Sequence, residues 1–403
     1  MVKAVLVLNA GSSSIKFAVL VMGEGGAAPE PRYRGAIDGI GNQPRFVVNR
    51  IVTRIDRQQS AELIEDQTLG KATRHVEALQ RLLAWLNGLS NEFQLAAVGH
   101  RVVHGGAAYV QPVAVDAHVR AALEKLSPFV PLHQPHNLAG IDVIRRLRPE
   151  LLQVACFDTA FHHTMDSIER MYALPRRLTE EGVRRYGFHG LSYEYIAGVL
   201  PDFLGEAANA RVVVAHLGNG ASLCAMKNRQ SVATTMGFTP LEGLPMGTRC
   251  GTLDPGVVLY LLQEKGMTVP ELVTLLNHRS GLLGLSGISG DMRELLGSDQ
   301  PRAKEAIDYF VARTGREIAS LAGALSGLDA LVFTAGIGEN AQEVRERICR
   351  HVAWLGIELD YAANQNHGPK ISTADSPVSV WVIPTNEEAV IAHHTQGIAE
   401  KMI

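Results

Sequence analysis

The sequence predicts an α/β protein with two domains that arose by duplication of one domain. At 403 residues, the chain is longer than a single hydrophobic core usually supports. Two stretches about half a chain apart, residues 4–20 and 211–226, share one pattern: a short turn of small residues separates two apolar runs. This pattern is typical of a β-hairpin. Its repetition favours duplication, and chance similarity between two glycine hairpins is the alternative.

The first of these turns runs from Asn9 to Lys16 and is rich in small residues and hydroxyl groups. Gly11 permits close approach of a ligand, and the hydroxyls of Ser12 and Ser14 can donate hydrogen bonds without bulk. We therefore expect a phosphate-binding turn. An ordinary buried hairpin turn is the alternative.

The second turn carries His216, Gly218, Asn219 and Gly220. When Gly218 is aligned with Gly11, the second turn follows the first with an apolar strand on each side. The two turns together suggest that a phosphate chain is held between them.

A third glycine segment, with Gly336, Gly338 and Asn340, follows an apolar run at 330–334 and precedes an amphipathic helix over 342–352. A strand, a glycine turn and a helix start in this order can bind an anion or accommodate a flat ring. The segment does not match a dinucleotide fingerprint, and the chain has no Walker A motif. A bound nucleotide would therefore need a different scaffold.

The remaining periodicity predicts the other elements of an α/β fold. Helices are expected at 75–89, 116–126, 137–147 and 303–325, and strands at 33–54 and 151–157, with a strand from 378 leading into a final helix. Residues 23–31 are expected to form a loop. The chain has no low-complexity linker, so we expect the two domains to share a deep cleft.

The net charge, the apolar runs and the cysteine spacing indicate which partners and which cellular compartment to expect. A formal charge of −3 argues against nucleic-acid binding, and no apolar run approaches a membrane span. The four cysteines are scattered without metal-like spacing, as is typical of reduced thiols. We expect a cytoplasmic protein without nucleic-acid or membrane partners.

Two charged residues stand where ligands are often bound. Arg101 lies where an apolar run enters a glycine loop, and Asp158 directly follows the apolar run at 151–157. Open α/β sheets place ligands at such strand ends, although Asp158 could also be a loop cap. The histidines at 133, 136, 162 and 163 lack the spacing of a zinc site.

Seven motifs occur in an order and spacing that resemble one family from end to end. They are Asn9-Ala-Gly-Ser-Ser-Ser-Ile-Lys-Phe, Gly99-His-Arg-Val-Val-His-Gly-Gly, Phe157-Asp-Thr-Ala-Phe-His, Tyr186-Gly-Phe-His-Gly, His216-Leu-Gly-Asn-Gly-Ala-Ser, Met246-Gly-Thr-Arg-Cys-Gly and Phe333-Thr-Ala-Gly-Ile-Gly-Glu-Asn. They closely resemble the acetate kinase family. The resemblance implies two duplicated ribonuclease H-like domains of the actin, Hsp70 and sugar kinase type with a central cleft. It also implies a homodimer that converts ATP and acetate reversibly into ADP and acetyl phosphate by direct in-line transfer.

On this basis we place an N-terminal domain at residues 1–158, completed by a C-terminal helix at 387–403. Residues 159–386 would form the C-terminal domain, which binds nucleotide and mediates dimerisation. Propionate kinases share most of these motifs, so propionate is the alternative acyl substrate. A more remote alternative is a chaperone-like ATPase on the same fold, which would need neither the paired arginines nor an acyl pocket.

The resemblance also implies roles for individual residues. Arg101 would hold acetate, and Arg101 and Arg249 would stabilise the transferring phosphoryl group, with His189 as a further donor and His133 near the acetate. Asp158 would orient one of these arginines or lie near the metal. A surface arginine, a core histidine and a capping acid are the alternatives for such residues.

Binding residues follow from the same motifs. The acyl methyl pocket would consist of Val103, Leu132, Phe188 and Pro240. ATP would contact Ser12, Ser14, Lys16, His216, Gly218, Asn219, Gly220, Asp291, Arg293, Gly336, Gly338 and Asn340. Asn9 and Glu387 would hold Mg²⁺, with Mn²⁺ as a possible substitute; an acid in the first turn of a helix is the alternative for Glu387. The chain departs from many relatives at Ala233 and Thr252, which concerns local loop hydrogen bonding more than activity.

Overall fold

The described residues form two β-sheets, one in each of two structural units. The computed structural model describes residues 1–53 and 59–402. The first unit comprises residues 1–160 together with the chain from Asn386 onward, and the second comprises Phe161–Thr385.

The first unit contains, among the described residues, a sheet of eight strands. These are β1 (Val2–Ala10), β2 (Ser14–Val21), β3 (Glu30–Asp38), β4 (Arg45–Thr53), β5 (Gln59–Thr68), β6 (Phe93–Val102), β7 (Val113–Ala114) and β8 (Leu152–Phe157). Their order across the sheet is β5-β4-β3-β2-β1-β6-β8-β7. Strand β5 was not among the strands that we predicted from the sequence.

The direction of the strands determines where functional residues can meet. Strand β1 pairs antiparallel with β2 and parallel with β6, and β6 pairs parallel with β8. The carboxyl ends of β1, β6 and β8 therefore lie at one edge of the sheet, which is the usual ligand edge of such sheets. Asn9, Arg101 and Asp158 are all located at this edge.

The second unit contains, within the described part of the chain, a sheet of five strands. These are β9 (Val212–Leu217), β10 (Ala221–Lys227), β11 (Gln230–Thr234), β12 (Ala330–Thr334) and β13 (Ser379–Val382). Their order is β11-β10-β9-β12-β13.

The two sheets share one five-strand arrangement. In the first unit, a β3-β2-β1 antiparallel set continues into the parallel strands β6 and β8. In the second, a β11-β10-β9 antiparallel set continues into the parallel strands β12 and β13. Both predicted hairpins, β1–β2 and β9–β10, are confirmed, and each occupies the same place in its sheet. This correspondence is what duplication of one domain produces.

Within the described part of the chain, four α-helices belong to the first unit. They are α1 (His75–Asn87), α2 (Ala117–Glu124), α3 (Gln134–Leu147) and, at the C-terminus, α15 (Glu387–Met402). Helix α15 packs against β1, β6 and β8, which brings its first residue, Glu387, into this unit although more than 200 residues separate it from β8 in the sequence.

The remaining helices belong to the second unit. They are α4 (Ser167–Arg170), α5 (Arg176–Glu180), α6 (Gly190–Leu204), α7 (Pro255–Gln263), α8 (Val269–His278), α9 (Gly281–Ser286), α10 (Met292–Leu296), α11 (Pro301–Ala324), α12 (Ala335–Asn340), α13 (Gln342–His351) and α14 (Tyr361–Gln365). Helix α11 packs against β9, β10 and β11 and buries the face that carries Ile307, Phe310 and Ile318.

The helices predicted from periodicity are confirmed, with ends that shift by up to three residues. The prediction of a glycine turn at 336–340 is wrong, because these residues form helix α12 directly after β12. Ala335, the first residue of α12, has a left-handed φ of 64°. The Glu339 carboxylate then accepts a hydrogen bond from the Ala335 N–H at 2.9 Å, which satisfies a backbone donor at the start of the helix.

None of the helices in the described part of the chain is long and apolar enough to cross a membrane.

Candidate active site

The first hairpin turn presents polar groups at the ligand edge of the first sheet. The Gly11 N–H donates to the Ser14 carbonyl at 2.8 Å, and His75 Nε2 donates to the Gly11 carbonyl at 2.7 Å. These bonds fix the backbone of the turn. Ser12 and Lys16 are exposed, whereas Asn9 and Ser14 are half-buried, so the side chains of the turn can reach a ligand.

Arg101 is held between two carboxylates of the first unit. It forms a bidentate pair with Asp158, with Nε 3.0 Å from Oδ1 and Nη2 2.8 Å from Oδ2. Its remaining terminal nitrogen, Nη1, lies 3.0 Å from Oε2 of Glu387. The side chain of Arg101 is 18% exposed and that of Asp158 is 3% exposed. A planar guanidinium that pairs with two carboxylates has a fixed orientation.

The electrostatics of this cluster keep the arginine charged. Burial by itself would lower the pKa of Arg101, but the negative charges of Asp158 and Glu387 outweigh that effect and raise the pKa above its ordinary value. Asp158 receives hydrogen bonds on both carboxylate oxygens from Arg101. The arrangement suits Asp158 to orient Arg101.

Helix α3 connects the first turn with the segment after β6. Asn137 Nδ2 donates to the Ala10 carbonyl at 2.8 Å, and the Val103 N–H donates to Asn137 Oδ1 at 3.0 Å. His133 precedes the first residue of this helix. Val103 is buried, whereas Leu132 and His133 are half-buried. The structure therefore places these three predicted residues around the start of α3.

The second hairpin turn gathers three predicted residues of the second unit. A Cβ added at Gly220 would lie 3.2 Å from Nε2 of His189 and 3.4 Å from Nη2 of Arg249. The rings of His189 and His216 stack with centroids 4.1 Å apart. Two imidazoles and a guanidinium thus converge on a glycine turn, which is a set of donors suited to an anion.

The two histidines are anchored by residues that we did not predict as site residues. His189 Nδ1 hydrogen-bonds to Ser222 Oγ at 2.9 Å, and His216 Nδ1 hydrogen-bonds to Ser192 Oγ at 2.8 Å. Ser192 donates in turn to Thr385 Oγ1 at 2.9 Å. Ser222 belongs to the repeated turn and could have been noticed there. Ser192 and Thr385 are 193 residues apart, so no local pattern could have connected them.

The predicted nucleotide segments lie on short helices. Gly336, Gly338 and Asn340 belong to α12, where Asn340 Nδ2 donates to the Gly336 carbonyl at 2.9 Å. Asp291 precedes α10, accepts a hydrogen bond from the Arg293 N–H at 2.8 Å and also pairs with the Arg293 guanidinium. Gly336, Asn340 and Arg293 are exposed and accessible to a ligand.

The predicted residues are distributed over both units. The first unit holds Arg101, Asp158 and Glu387 in direct contact, with the first turn and the start of α3 at the same sheet edge. The second holds His189, His216 and Arg249 around Gly218, Asn219 and Gly220, together with Phe188 and Pro240. The Arg249 Nη1 donates to the Pro240 carbonyl at 2.8 Å, which joins two of these residues directly.

Comparisons with known proteins agree over nearly the whole chain. The model of the acetokinase family matches residues 4–393. An acetate kinase from Rhodopseudomonas palustris strain TIE-1 is 54% identical over 398 residues, which cover 98% of each chain.

Solved structures resemble the fold to a similar extent. The crystal structure of a propionate kinase from Francisella tularensis has a TM-score of 0.88 at 36% identity, and that of Porphyromonas gingivalis acetate kinase has a TM-score of 0.83 at 36% identity. Each comparison covers 98% of this chain and 99% of the other. The matches confirm both the predicted α/β fold and the resemblance carried by the seven motifs. The chain belongs to the acetokinase family.

Proposed function

We propose that the protein catalyses reversible, Mg²⁺-dependent phosphoryl transfer from ATP to acetate, giving acetyl phosphate and ADP. The observation that supports this most strongly is the convergence of His189 and Arg249 on the glycine turn at Gly220. Donors arranged in this way neutralise the charge of a transferring phosphoryl group. Family membership supports the same reaction.

The chemistry needs alignment and charge neutralisation more than covalent help, because acetate is already an anion at neutral pH. In the proposed step, an acetate oxygen forms a bond to the γ-phosphorus while the bond from that phosphorus to the β,γ-bridging oxygen breaks. The electron pair of the broken bond stays on ADP. No proton has to move, so no general base is required.

The acetate carboxylate is proposed to bind at Arg101, with His133 near it. Asp158 and Glu387 fix the orientation of this guanidinium. Asp158 is proposed as a positioning residue and not as a nucleophile, because both its oxygens are engaged by Arg101. The acyl methyl group is proposed to contact Val103, Leu132, Phe188 and Pro240, which are apolar and buried or half-buried.

The phosphates of ATP are proposed to bind the two hairpin turns. Ser12, Ser14 and Lys16 would contribute from the first, and His216, Gly218, Asn219 and Gly220 from the second. Adenosine is proposed to lie against α12, at Gly336, Gly338 and Asn340, and against Asp291 and Arg293.

Mg²⁺, or Mn²⁺ in its place, is proposed to be held by Asn9 and Glu387. Both side chains offer the hard oxygen donors that these ions prefer, and both belong to the unit that contains the Arg101 cluster. A bound metal ion would neutralise phosphate charge. Water molecules and phosphate oxygens would supply most of its other ligands. Glu387 also has an observed partner, Arg101, so it would connect the metal to the acetate-binding arginine.

The function can be tested by incubating the protein with MgATP, hydroxylamine and acetate, propionate or butyrate. We expect acyl hydroxamate and ADP in equal amounts, with kcat/KM highest for acetate. A preference for propionate would support the alternative that the Francisella tularensis relative suggests. ATP hydrolysis without hydroxamate from any of the acids would contradict the proposal and favour a chaperone-like ATPase.

The proposed acyl pocket predicts a change in preference for Val103→Ala. Enlarging the pocket should raise the ratio of kcat/KM for propionate to that for acetate by about tenfold, since one methylene is worth about 1–3 kcal/mol in such a pocket. Val52→Ala is the control, because Val52 is exposed on β4, and it should leave the ratio unchanged. An unchanged ratio in Val103→Ala would remove Val103 from the pocket.

We further propose that the protein is a cytoplasmic homodimer. Helices α7 and α8 expose an apolar surface, in which Leu259 is 54%, Tyr260 49% and Val269 64% exposed. Large apolar side chains exposed together on neighbouring helices are typical of a protein–protein interface. The burial of Cys156, Cys224 and Cys349 fits reduced thiols of the cytoplasm.

The dimer proposal predicts that Leu259→Glu raises the dimer dissociation constant at least about a hundredfold, because a buried unpaired carboxylate is costly. Sedimentation equilibrium should give about twice the 43.6 kDa chain mass for the wild type. Ile168→Glu is the control, because Ile168 is an exposed apolar residue on α4. A monomeric wild type, or a dimer unaffected by Leu259→Glu, would contradict the proposed interface.

A further inference from the structure

The segment after β11 carries one of the proposed acyl-pocket residues and holds one of the proposed catalytic arginines. Pro240 lies in this segment, and its carbonyl accepts a hydrogen bond from Arg249 Nη1 at 2.8 Å. A displacement of Pro240 would therefore move the pocket wall and the partner of Arg249 together. We call residues 234–243, which begin with the last residue of β11, the pocket loop. The side chains that fix this loop, Tyr172, Arg185 and Glu242, lie outside the seven motifs.

Arg185 binds the start of the pocket loop. Its Nη1 lies 3.4, 3.2 and 3.0 Å from the carbonyl oxygens of Thr234, Thr235 and Met236, and donates to them. Its Nη2 donates to Glu242 Oε1 at 2.8 Å. The side chain of Arg185 is 19% exposed. One guanidinium thus joins both ends of the pocket loop.

Tyr172 connects the middle of the loop to the same carboxylate. Its hydroxyl donates to Glu242 Oε2 at 2.7 Å and accepts a hydrogen bond from the Phe238 N–H at 2.8 Å. Burial, followed by the hydrogen bond to Glu242, raises the pKa of Tyr172 above its ordinary value. The phenol therefore stays protonated and keeps its role as donor.

Gly237 shows how closely the loop is packed onto these groups. A Cβ at this position would lie 1.7 Å from Glu242 Oε2 and 2.2 Å from the Tyr172 hydroxyl. The Gly237 carbonyl accepts hydrogen bonds from the N–H groups of Tyr186 and Gly187, at 3.0 and 3.3 Å. These two residues directly precede Phe188 and His189, so the loop also supports the segment that carries a second pocket residue and the phosphoryl-binding histidine.

We propose that Tyr172, Arg185 and Glu242 form a positioning cluster that fixes the pocket loop, and thereby sets the acyl preference and the orientation of Arg249. The proposal rests on the proposed function. None of the three residues is proposed to touch the substrate; they act through Pro240, Phe188, His189 and Arg249. The acyl substrate should therefore respond to a change in the cluster more than the nucleotide does.

Tyr172→Phe is the mildest test, because it removes one hydroxyl and keeps the ring. We expect the ratio of kcat/KM for acetate to that for propionate to fall about threefold to tenfold, a change of the size that small alterations of an apolar pocket produce. The KM for ATP should change less than about twofold, the margin within which we regard a substrate as unaffected.

Arg185→Lys tests the fork of donors. A lysine keeps the charge but cannot bind three carbonyls and a carboxylate at once, so we expect a larger fall in kcat for acetate, of about tenfold or more.

The control for Tyr172→Phe is Tyr33→Phe in the first unit, where the phenol donates to Glu92 Oε2 at the same 2.7 Å. Thermal unfolding of every variant should be measured alongside, so that a change in the acyl ratio can be distinguished from a change in stability.

The outcomes separate the possibilities. A changed acyl ratio in Tyr172→Phe, with Tyr33→Phe unchanged, supports the positioning cluster. An acyl ratio equal to that of the wild type, even with a lowered melting temperature, would overturn it and leave the cluster with a structural role only. A wild-type protein that forms no acyl phosphate would overturn the proposed function itself, which is a result visible before any variant is made.

Discussion

Arg249→Ala is expected to lower kcat for acetyl phosphate formation by about three orders of magnitude, which is the size of effect that an arginine gives when it stabilises the transferring phosphoryl group. The guanidinium lies beside the turn at Gly220 and shares that position with His189. Removal leaves the developing charge without its strongest donor, so the loss should fall on kcat more than on the KM for ATP.

Two further variants make this result specific. Arg249→Lys keeps the charge but loses the fork of donors and should recover only part of the activity. Arg229→Ala is the control in the same unit, because Arg229 lies in the exposed connection between β10 and β11 and contacts Asn209. A kcat within about twofold of the wild type in Arg249→Ala would remove Arg249 from the catalytic residues.

Glu387→Ala is expected to raise the Mg²⁺ concentration needed for half-maximal activity by about tenfold or more, since losing a metal ligand or its support usually costs that much. The same change removes one of the two carboxylates that hold Arg101. The KM for acetate should therefore rise as well. Titrating Mg²⁺ at saturating acetate, and acetate at saturating Mg²⁺, separates the two effects.

Glu387→Gln and Glu400→Gln complete the comparison. The first keeps an oxygen that can accept from Arg101 but loses the charge, so the Mg²⁺ requirement should stay raised while the KM for acetate partly recovers. The second lies in the last turn of the same helix, where it contacts Gln396, and should behave as the wild type. An unaltered Mg²⁺ requirement in Glu387→Ala would contradict a role in metal binding and leave Glu387 only the role of orienting Arg101.

Local patterns were sufficient to predict the two hairpins and the longer helices. Apolar runs on either side of a turn of small residues predict β1–β2 and β9–β10, and apolar residues that recur every three or four positions predict α1 and α11. Residues 335–340 could not be predicted in the same way, because the helix there starts from a left-handed alanine and contains two glycines, Gly336 and Gly338, which are more typical of a turn. The last helix was predicted, but its contact with β6 depends on tertiary packing.

The candidate site shows the same division. Arg101 and Asp158 each follow from their place at the end of a strand, but their pairing depends on the parallel register of β6 and β8. The hydrogen bonds between Ser192 and Thr385, and those of Glu242 with Tyr172 and Arg185, join residues 57 or more positions apart. Such contacts leave no periodic trace in a sequence, so the supporting residues become visible only once the chain is folded.

The most direct test of phosphoryl transfer to a carboxylate is to mix the protein at a concentration equal to that of γ-³²P-labelled MgATP, with and without acetate, and to follow the label on a fast timescale. Direct in-line transfer predicts label in free acetyl phosphate when acetate is present and no labelled protein when acetate is absent. Stoichiometric labelling of the protein without acetate, chased into acetyl phosphate when acetate is added, would contradict direct transfer and make a side chain such as that of Asp158 a nucleophile.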